Sequence, residues 1–361
     1  MRSIFLTFCF FLVFSHSYAA AEPTKDLYVP PFGHMGVLSV YFENDFWLLT
    51  DRYYTNGAQF TWTSFALQSP LSQDLKKESL SVRLFNFLGA AIQRGLWWNE
   101  KKEQPAWYFM MSLGQRMYTP LVLDNLQQQV GDRPFAGWLY VGIGFVTQTD
   151  ARRHGWYLET GMVGPASLAA EIQSVIHQSR HLAKPVGWVN QLKNEYVFKL
   201  NESHTFKLAL LESSSHVAIE ALPQVGFSLG TVEISLQTGL EIRLGLHIPR
   251  DFGTTLIHDL VPSSTPQTQI WSSVPMFKRF GFYFFTRVFI QLVLRDLFLD
   301  GNTYDHHLAV PKHLIRDEFA AGGALCFLNS KLVMSFVFQS PHFIAQPLPH
   351  QYVSVSLHIG F

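Results

Sequence analysis

Asn44, Asp45 and Thr55 supply polar side chains at a spacing that could support chemistry. Asn44 and Asp45 end an alternating segment, and Thr55 follows a turn shortly afterwards. Amide, carboxylate and hydroxyl oxygens suit Ca²⁺, which takes about six to eight oxygen ligands, so these residues alone do not complete a metal site. Asn and Asp are also common at strand ends because their side chains bond nearby backbone groups. Both interpretations stay open from the sequence.

His177 lies in a second candidate region, residues 167–182, which show helical periodicity. An imidazole can act as a general base near neutral pH. His181 follows four residues later, so on a helix the two rings would share a face at the spacing of zinc ligands, although no third ligand is evident. A His177–Ser179 pair for acyl transfer is disfavoured, because neighbouring positions on a helix point in different directions. A structural histidine is the remaining alternative.

Arg133 is a candidate for binding a substrate phosphate. It forms a charged pair with Asp132 just before an alternating segment. Most such pairs are solvated surface features, but an arginine at the rim of a membrane protein could hold a lipid phosphate.

The helical segment predicts a short amphipathic helix. Ser167 is placed to cap its N-terminus, and Glu171 suits its first turn. The apolar positions form one stripe that we expect to pack against the rest of the protein. These positions are Leu168, Ile172, Val175 and Ile176.

Most of the remaining chain alternates between apolar and polar residues with period two, as β-strands do. In the first hairpin, Ser39 and Glu43 share one face with Asp45. After the turn, Tyr54 is expected on the apolar face with Phe60 and Trp62, and Thr55 on the polar face. Apolar and aromatic residues on one face, with hydroxyls and carboxylates on the other, suit a wall between lipid and water. Aromatic residues make up 15% of the chain, including 32 Phe. We expect twelve strands, near residues 37–48, 53–67, 106–117, 134–149, 153–165, 192–213, 216–229, 231–245, 279–298, 312–328, 330–341 and 350–361.

The predicted fold class is therefore all-β: a twelve-stranded antiparallel transmembrane β-barrel with a short helix in an extracellular loop. Residues 1–21 are predicted to be a signal peptide, and residues 22–361 are predicted to form a single outer-membrane barrel domain. With both termini in the periplasm, the connections 49–52, 118–133, 166–191 and 299–311 would face outside. The candidate residues then gather at one rim.

Composition limits the partners and the covalent chemistry. The formal net charge is zero and the basic residues do not cluster, so nucleic acid is not an expected partner. Cys326 is the single cysteine after the signal peptide, so no intrachain disulfide is expected. Two long connections, 68–105 and 246–278, give no clear structural signal.

Several motifs resemble the outer-membrane lipid A 3′-O-deacylase family, in order and over most of the chain. The first hairpin and the segment around Asp132 are the most specific of them. The matching residues are Glu43-Asn44-Asp45, Thr50 to Gly57, Tyr118-Thr119-Pro120, Gly131 to Trp138, Gly164-Pro165, Glu171, Gln173, His177, Trp188, Gln191, Leu192, Asn194, Glu195 and Leu299 to Thr303.

The resemblance implies an enzyme of the bacterial outer membrane whose site faces the outer leaflet. Its substrate would be lipid A in lipopolysaccharide, from which it would release the 3′-linked acyloxyacyl group with Ca²⁺ as cofactor. His177 matches the family's catalytic histidine, and Asn44, Asp45 and Thr55 match its polar active-site residues. We expect Asn44 and Asp45 to be Ca²⁺ ligands or orienting groups, with Thr55 as a polar support and His177 as the general base. We expect a monomer in contact with outer-membrane lipids.

Two departures from the family pattern stand out. The family's acidic residue six positions after the histidine is Ala183 here, and residues 121–130 contain no counterpart of a family lysine. Two other functions stay open. A non-enzymatic barrel, such as a porin or an adhesin, could share the scaffold, and a phospholipase could share the mechanism.

Overall fold

A computed structural model describes residues 36–48, 50–65, 105–127, 131–212, 217–263, 280–306 and 308–361. The expected signal peptide lies outside the described residues, as does nearly all of the 68–105 connection.

Thirteen strands form one antiparallel sheet that closes on itself. Neighbours along the chain pair with each other, and β1 pairs with β13 to close the ring. The strands β6 and β7 both pair with β8, so they make one wall strand that is interrupted at Lys207. The barrel is therefore twelve-stranded, as the sequence predicts. The strands are β1 Val37–Asn44, β2 Tyr53–Thr63, β3 Ala106–Thr119, β4 Ala136–Gln148, β5 Arg152–Val163, β6 Glu195–Phe206, β7 Leu208–Glu212, β8 Val217–Gly230, β9 Glu233–Leu246, β10 Phe280–Asp296, β11 Ile315–Phe327, β12 Ser330–Gln339 and β13 His350–Gly360.

Closure explains why a sheet with so many outward apolar residues is stable. With β6 and β7 counted as one wall strand, each wall strand is hydrogen-bonded to a neighbour on either side, which satisfies backbone groups that lipid cannot. Along β10, Phe284 and Val288 point outward and are exposed, whereas Arg287 points inward and is buried. We call the end of the barrel with the β1–β2 connection the upper end, and the end where Gly36 pairs with Phe361 the lower end.

In the upper connections, the described residues include two α-helices: α1 Ala169–Ser179, between β5 and β6, and α2 Leu297–Asp300, after β10. Short 3₁₀ turns occupy Phe46–Leu48, Pro165–Ser167 and Val186–Asn190. Among the described residues, no helix has both the length and the apolar character needed to cross a membrane.

The predicted orientation of Tyr54 is wrong. The pairing of β2 with β3 shifts register between Tyr54 and Asn56, so Thr55 is the extra residue of a bulge. The shift turns Tyr54 into the lumen, where its hydroxyl donates to Glu43 Oε2 at 2.6 Å. The same shift places Thr55 beside the outer face of the wall.

Residues 247–263, whose structure the sequence does not indicate, enter the lumen from the lower end and fill much of it. Near the upper end, the amide of Ile257 donates to Glu43 Oε1 at 2.9 Å, and Arg116 donates to the Ile257 carbonyl at 2.7 Å. Lower down, Lys331 pairs with Asp251 at 2.6 Å. We call residues 247–263 the lumen segment. Its polar contacts satisfy buried charges of the inner wall, which would be costly if left unpaired.

Candidate active site

Helix α1 lies against the outer side of the wall at the upper end. Its buried residues are Ala169, Gln173 and His177, which are spaced four apart and so share a face. Gly137 on β4 allows the close approach, because a Cβ atom there would lie 2.3 Å from Ala169 Cβ. The wall therefore faces the polar side of the helix.

The expected packing of the apolar stripe is wrong. Leu168, Ile172 and Val175 are exposed at 52%, 39% and 65%, on the side of α1 that faces away from the wall. The predicted cap is also wrong, since Ser167 Oγ donates to the Gly164 carbonyl and Leu168 occupies the N-cap position. The physical reason is that Gln173 and His177 find hydrogen-bond partners on the buried side of the helix.

His177 is held by partners on both ring nitrogens. Nδ1 lies 2.6 Å from the carbonyl oxygen of Ala183, which can only accept, so Nδ1 carries a proton. Nε2 points to Asp51, with its Oδ2 at 2.8 Å. The side chain at position 183 departs from the family pattern, but here the backbone of that residue orients the ring.

Asp51 is a site residue that the sequence analysis does not single out. Gln173 Nε2 donates to Asp51 Oδ1 at 3.1 Å, and Trp188 Nε1 donates to Gln173 Oε1 at 2.6 Å. Burial raises the pKa of Asp51, and the adjacent His177 opposes that rise. Two features of the sequence could have identified Asp51: it lies within the Thr50 to Gly57 motif, and its partners Gln173 and Trp188 also match the family motifs.

Asn44 and Asp45 make the turn contacts that the sequence allows, and Asp45 keeps one oxygen free of them. Asn44 Oδ1 accepts from the Phe46 amide at 2.7 Å, and Asp45 Oδ2 accepts from the Arg52 amide at 2.8 Å. Asp45 Oδ1 is buried without a hydrogen-bond partner among the described residues. Burial raises the pKa of Asp45 to about 8.

Thr55 completes the polar side of the site. Its Oγ1 lies 2.6 Å from Thr119 Oγ1, and it is buried on the bulge of β2. Asn44, Asp45, Thr55 and His177 thus all line one cleft, as the sequence analysis expects of a shared site.

This cleft lies between α1 and the outer wall and has a volume of about 220 Å³. One side is polar and carries the residues described above. The other side is apolar, which suits an acyl chain. The apolar lining consists of Phe42, Phe46, Met117, Ile176 and Leu182.

Other candidates lie away from these contacts. Arg133 is buried with its guanidinium 4.4 Å above the Tyr118 ring, and it does not line the cleft. His181 follows the end of α1 with a left-handed backbone and is exposed, so the helical spacing assumed for a His177–His181 zinc pair is not present. Ser179 Oγ donates to the Ile176 carbonyl rather than pairing with His177.

The oxygen donors of the cleft fit a hard cation. Within the described part of the chain, Asp45 Oδ1 has no hydrogen-bond partner, and Asp45 lines the same cleft as Asn44 and Thr55. A buried carboxylate oxygen without a partner favours either a proton or a bound cation, since it is costly otherwise.

Comparisons with known proteins agree with this architecture. A family model described as "Outer membrane protein LpxR" matches residues 5–361. The solved structure of LpxR from Salmonella typhimurium covers 90% of this chain and 100% of its own, with 17% identity and a TM-score of 0.67, which shows a shared fold. The β domain of the Bordetella autotransporter BrkA covers 91% and 99% of the two chains at 9% identity, but its TM-score of 0.43 supports no argument. A search of curated proteins finds no match.

Proposed function

Because the chain belongs to the LpxR family of outer membrane proteins, we propose that it is an esterase that removes the 3′-O-linked acyloxyacyl group of lipid A. The observation that carries this proposal is the 2.8 Å contact of His177 Nε2 with Asp51, in a cleft that also holds Asn44, Asp45 and Thr55. The cleft opens on the outer side of the wall, where a lipid substrate can enter from the membrane. We place the upper end at the outer leaflet.

His177 acts as the general base. Because Nδ1 donates to Ala183, Nε2 is the ring nitrogen that can accept a proton. A water molecule that enters between Nε2 and Asp51 gives its proton to Nε2 as the water oxygen attacks the ester carbonyl carbon. The bond between the acyl carbon and the 3′ oxygen of the sugar then breaks, and the proton passes from Nε2 to this departing oxygen, which leaves a free acid and a 3′-hydroxyl. Asp51 stabilises the imidazolium that exists between these two transfers.

Asn44 and Asp45 would hold Ca²⁺, with Thr55 as a polar support. When bound, the ion supplies positive charge for the carbonyl oxygen of the ester as that oxygen becomes anionic. In this arrangement the free Oδ1 of Asp45 is the first oxygen available to the ion.

Arg180 is our candidate for the cationic group that residues 121–130 lack. It lies at the C-terminal end of α1, lines the cleft, and places its guanidinium 4.2 Å from the centre of the Phe46 ring. An exposed arginine at the mouth of a lipid site can pair with a substrate phosphate. The earlier candidate, Arg133, is buried and serves this role less well.

The lumen segment argues against a porin. Its contacts with Glu43, Arg116 and Lys331 cross the interior of the barrel. We therefore expect no conductance in planar bilayers, whereas a porin would conduct. A phospholipase of the same mechanism is the second enzymatic candidate, because a histidine base, oxygen donors and an apolar lining would also serve the ester of a glycerophospholipid.

Mass spectrometry of lipid A tests the proposal. Wild-type protein should remove the 3′ acyloxyacyl mass, His177→Asn should leave lipid A intact, and a Ca²⁺ chelator should stop the wild-type reaction. Glycerophospholipid offered in the same vesicles separates the two esterases. Exclusive release of fatty acid from phospholipid would replace our proposal with the second candidate, and unchanged lipids in every sample would overturn both.

A further inference from the structure

A second polar cluster lies on the outer face of the barrel, at the end opposite to the cleft. His154 is the third residue of β5, and its partner across the pair is His204, near the end of β6. Both positions are near the lower end. Glu202 lies two residues before His204 and therefore on the same face.

The outward orientation of the cluster follows from its neighbours. Arg153, next to His154, points into the lumen and donates to the Pro262 carbonyl of the lumen segment. Strand residues alternate, so His154 faces outward, like the exposed Leu158 further along β5. On β6, the exposed Phe198 and Phe206 share the face of Glu202 and His204.

The three side chains converge on one point. Glu202 Oε1 lies 2.8 Å from His154 Nε2 and 2.7 Å from His204 Nε2. The two rings stack with their centroids 4.1 Å apart. Among the described residues, these three form the one group of His, Cys, Asp or Glu side chains whose ligand atoms all lie within 4.8 Å of one another.

This convergence is unusual for the outer face of a membrane barrel. Polar residues there are costly and normally replaced by apolar ones. Trp156 packs edge-to-face on His154, with ring centroids 6.2 Å apart, and also on Phe227, at 5.9 Å. His154 and Glu202 are nevertheless buried at 2% and 6% exposure. Two imidazoles and one carboxylate are a common ligand set of Zn²⁺.

We propose that His154, Glu202 and His204 form a Zn²⁺ site that joins β5 to β6. Tetrahedral coordination at about 2.0 Å separates ligand atoms by about 3.3 Å. The present separations are therefore about half an ångström too short, and small side-chain movements would admit the ion. A water molecule would take the fourth position. The site is independent of the esterase proposal, because none of its residues lines the cleft.

Zinc binding to the purified full-length protein in detergent tests this inference. After removal of metals, ZnCl₂ alone is titrated by calorimetry into wild-type protein, into His154→Asn/His204→Asn, into Glu202→Gln and into His306→Asn. His306 is an exposed histidine at the other end of the barrel and serves as the matched control. We expect wild type and His306→Asn to bind one more equivalent of zinc than His154→Asn/His204→Asn. Glu202→Gln should bind this equivalent at least tenfold more weakly than wild type does.

A parallel titration of Asp45→Asn distinguishes this site from the cleft. This variant should still bind the equivalent of zinc that the double variant loses. Heat-modifiable gel mobility verifies that each variant is folded. If the double variant does not fold, His204→Asn alone takes its place, since that side chain is partly exposed. Equal zinc stoichiometry and affinity in wild type and the folded cluster variants would overturn the inference and leave only a hydrogen-bonded triad.

Discussion

Asp51 Oδ2 and His177 Nε2 are 2.8 Å apart, although one residue belongs to the β1–β2 connection and the other to helix α1. This contact joins the first hairpin to the loop between β5 and β6. Because Gln173 holds the other carboxylate oxygen, Asp51 has a fixed orientation toward the ring. The proposed base therefore has an anionic partner that its own helix does not provide.

Asp51→Asn should lower kcat about tenfold and leave KM nearly unchanged. Asn can still accept from Gln173, so the geometry is kept while the charge that stabilises the imidazolium is lost. His177→Asn should lower kcat by about 100-fold or more, in the range typical of a general base. Steady-state kinetics with lipid A micelles measure both.

The double variant provides the sharper test of this pair. If Asp51 acts through His177, Asp51→Asn/His177→Asn should be no slower than His177→Asn alone. Asp124→Asn, an exposed carboxylate on the β3–β4 connection, is the control and should keep wild-type rates. Fully multiplicative losses in the double variant would show that Asp51 works independently of the histidine.

The dependence of activity on Ca²⁺ should change with pH because of Asp45. Its pKa is raised to about 8 by burial, so below pH 8 the carboxyl is mostly protonated in the folded protein. Calcium must then displace that proton, and the apparent affinity should weaken as the pH falls, by up to about tenfold per unit. Calcium titrations of activity at pH 6.5, 7.5 and 8.5 measure this slope.

Asp45→Asn should remove most of the pH dependence of the Ca²⁺ affinity, and it should also lower that affinity strongly. The amide does not titrate, so no proton competes with the ion. A wild-type affinity for Ca²⁺ that is the same at all three pH values would contradict the role of Asp45 as a titrating ligand.

Gly137→Val should abolish activity while the barrel still folds. A Cβ atom at this position would lie 2.3 Å from Ala169 Cβ and 2.2 Å from Ser167 Oγ, so α1 must move away from the wall and carry His177 with it. Gly323→Ala is the matched control on β11, since its Cβ would meet only ordinary contacts at 3.5 Å or more. Heat-modifiable mobility reports folding, and retained deacylation by folded Gly137→Val would disprove the dependence on helix position.

The sequence predicts the wall of this protein well because one physical rule governs it. Outward residues contact lipid and inward residues contact water or polar groups, so apolar and polar residues alternate along nearly every strand. Where another demand intervenes, the pattern misleads. At Thr55 a bulge reverses the face of Tyr54, and only the pairing with β3 reveals it.

Helix α1 misleads for a related reason. Burial of the apolar stripe is the usual rule for a helix on a protein surface. Here the face that carries Gln173 and His177 is buried against the wall, and Ile172 and Val175 face away from it. The lumen segment gives still less signal. Its buried polar residues, such as Asp251 and Asp259, are explained by the arginines and lysines that meet them across the lumen, and these partners are distant in sequence.

Arg180→Ala should raise KM for lipid A about five- to tenfold with little change in kcat. An exposed charge-assisted contact with a phosphate contributes on the order of 1 kcal/mol to binding. The backbone amide of Arg180 donates to the His177 carbonyl, and alanine keeps that bond. Lys184→Ala, an exposed cation a few residues further on that does not line the cleft, is the control and should leave KM unchanged. Lipid A without phosphate should bind wild type and Arg180→Ala equally well. If Arg180→Ala still weakened the binding of that substrate, the arginine would act by packing on Phe46 rather than by pairing with phosphate.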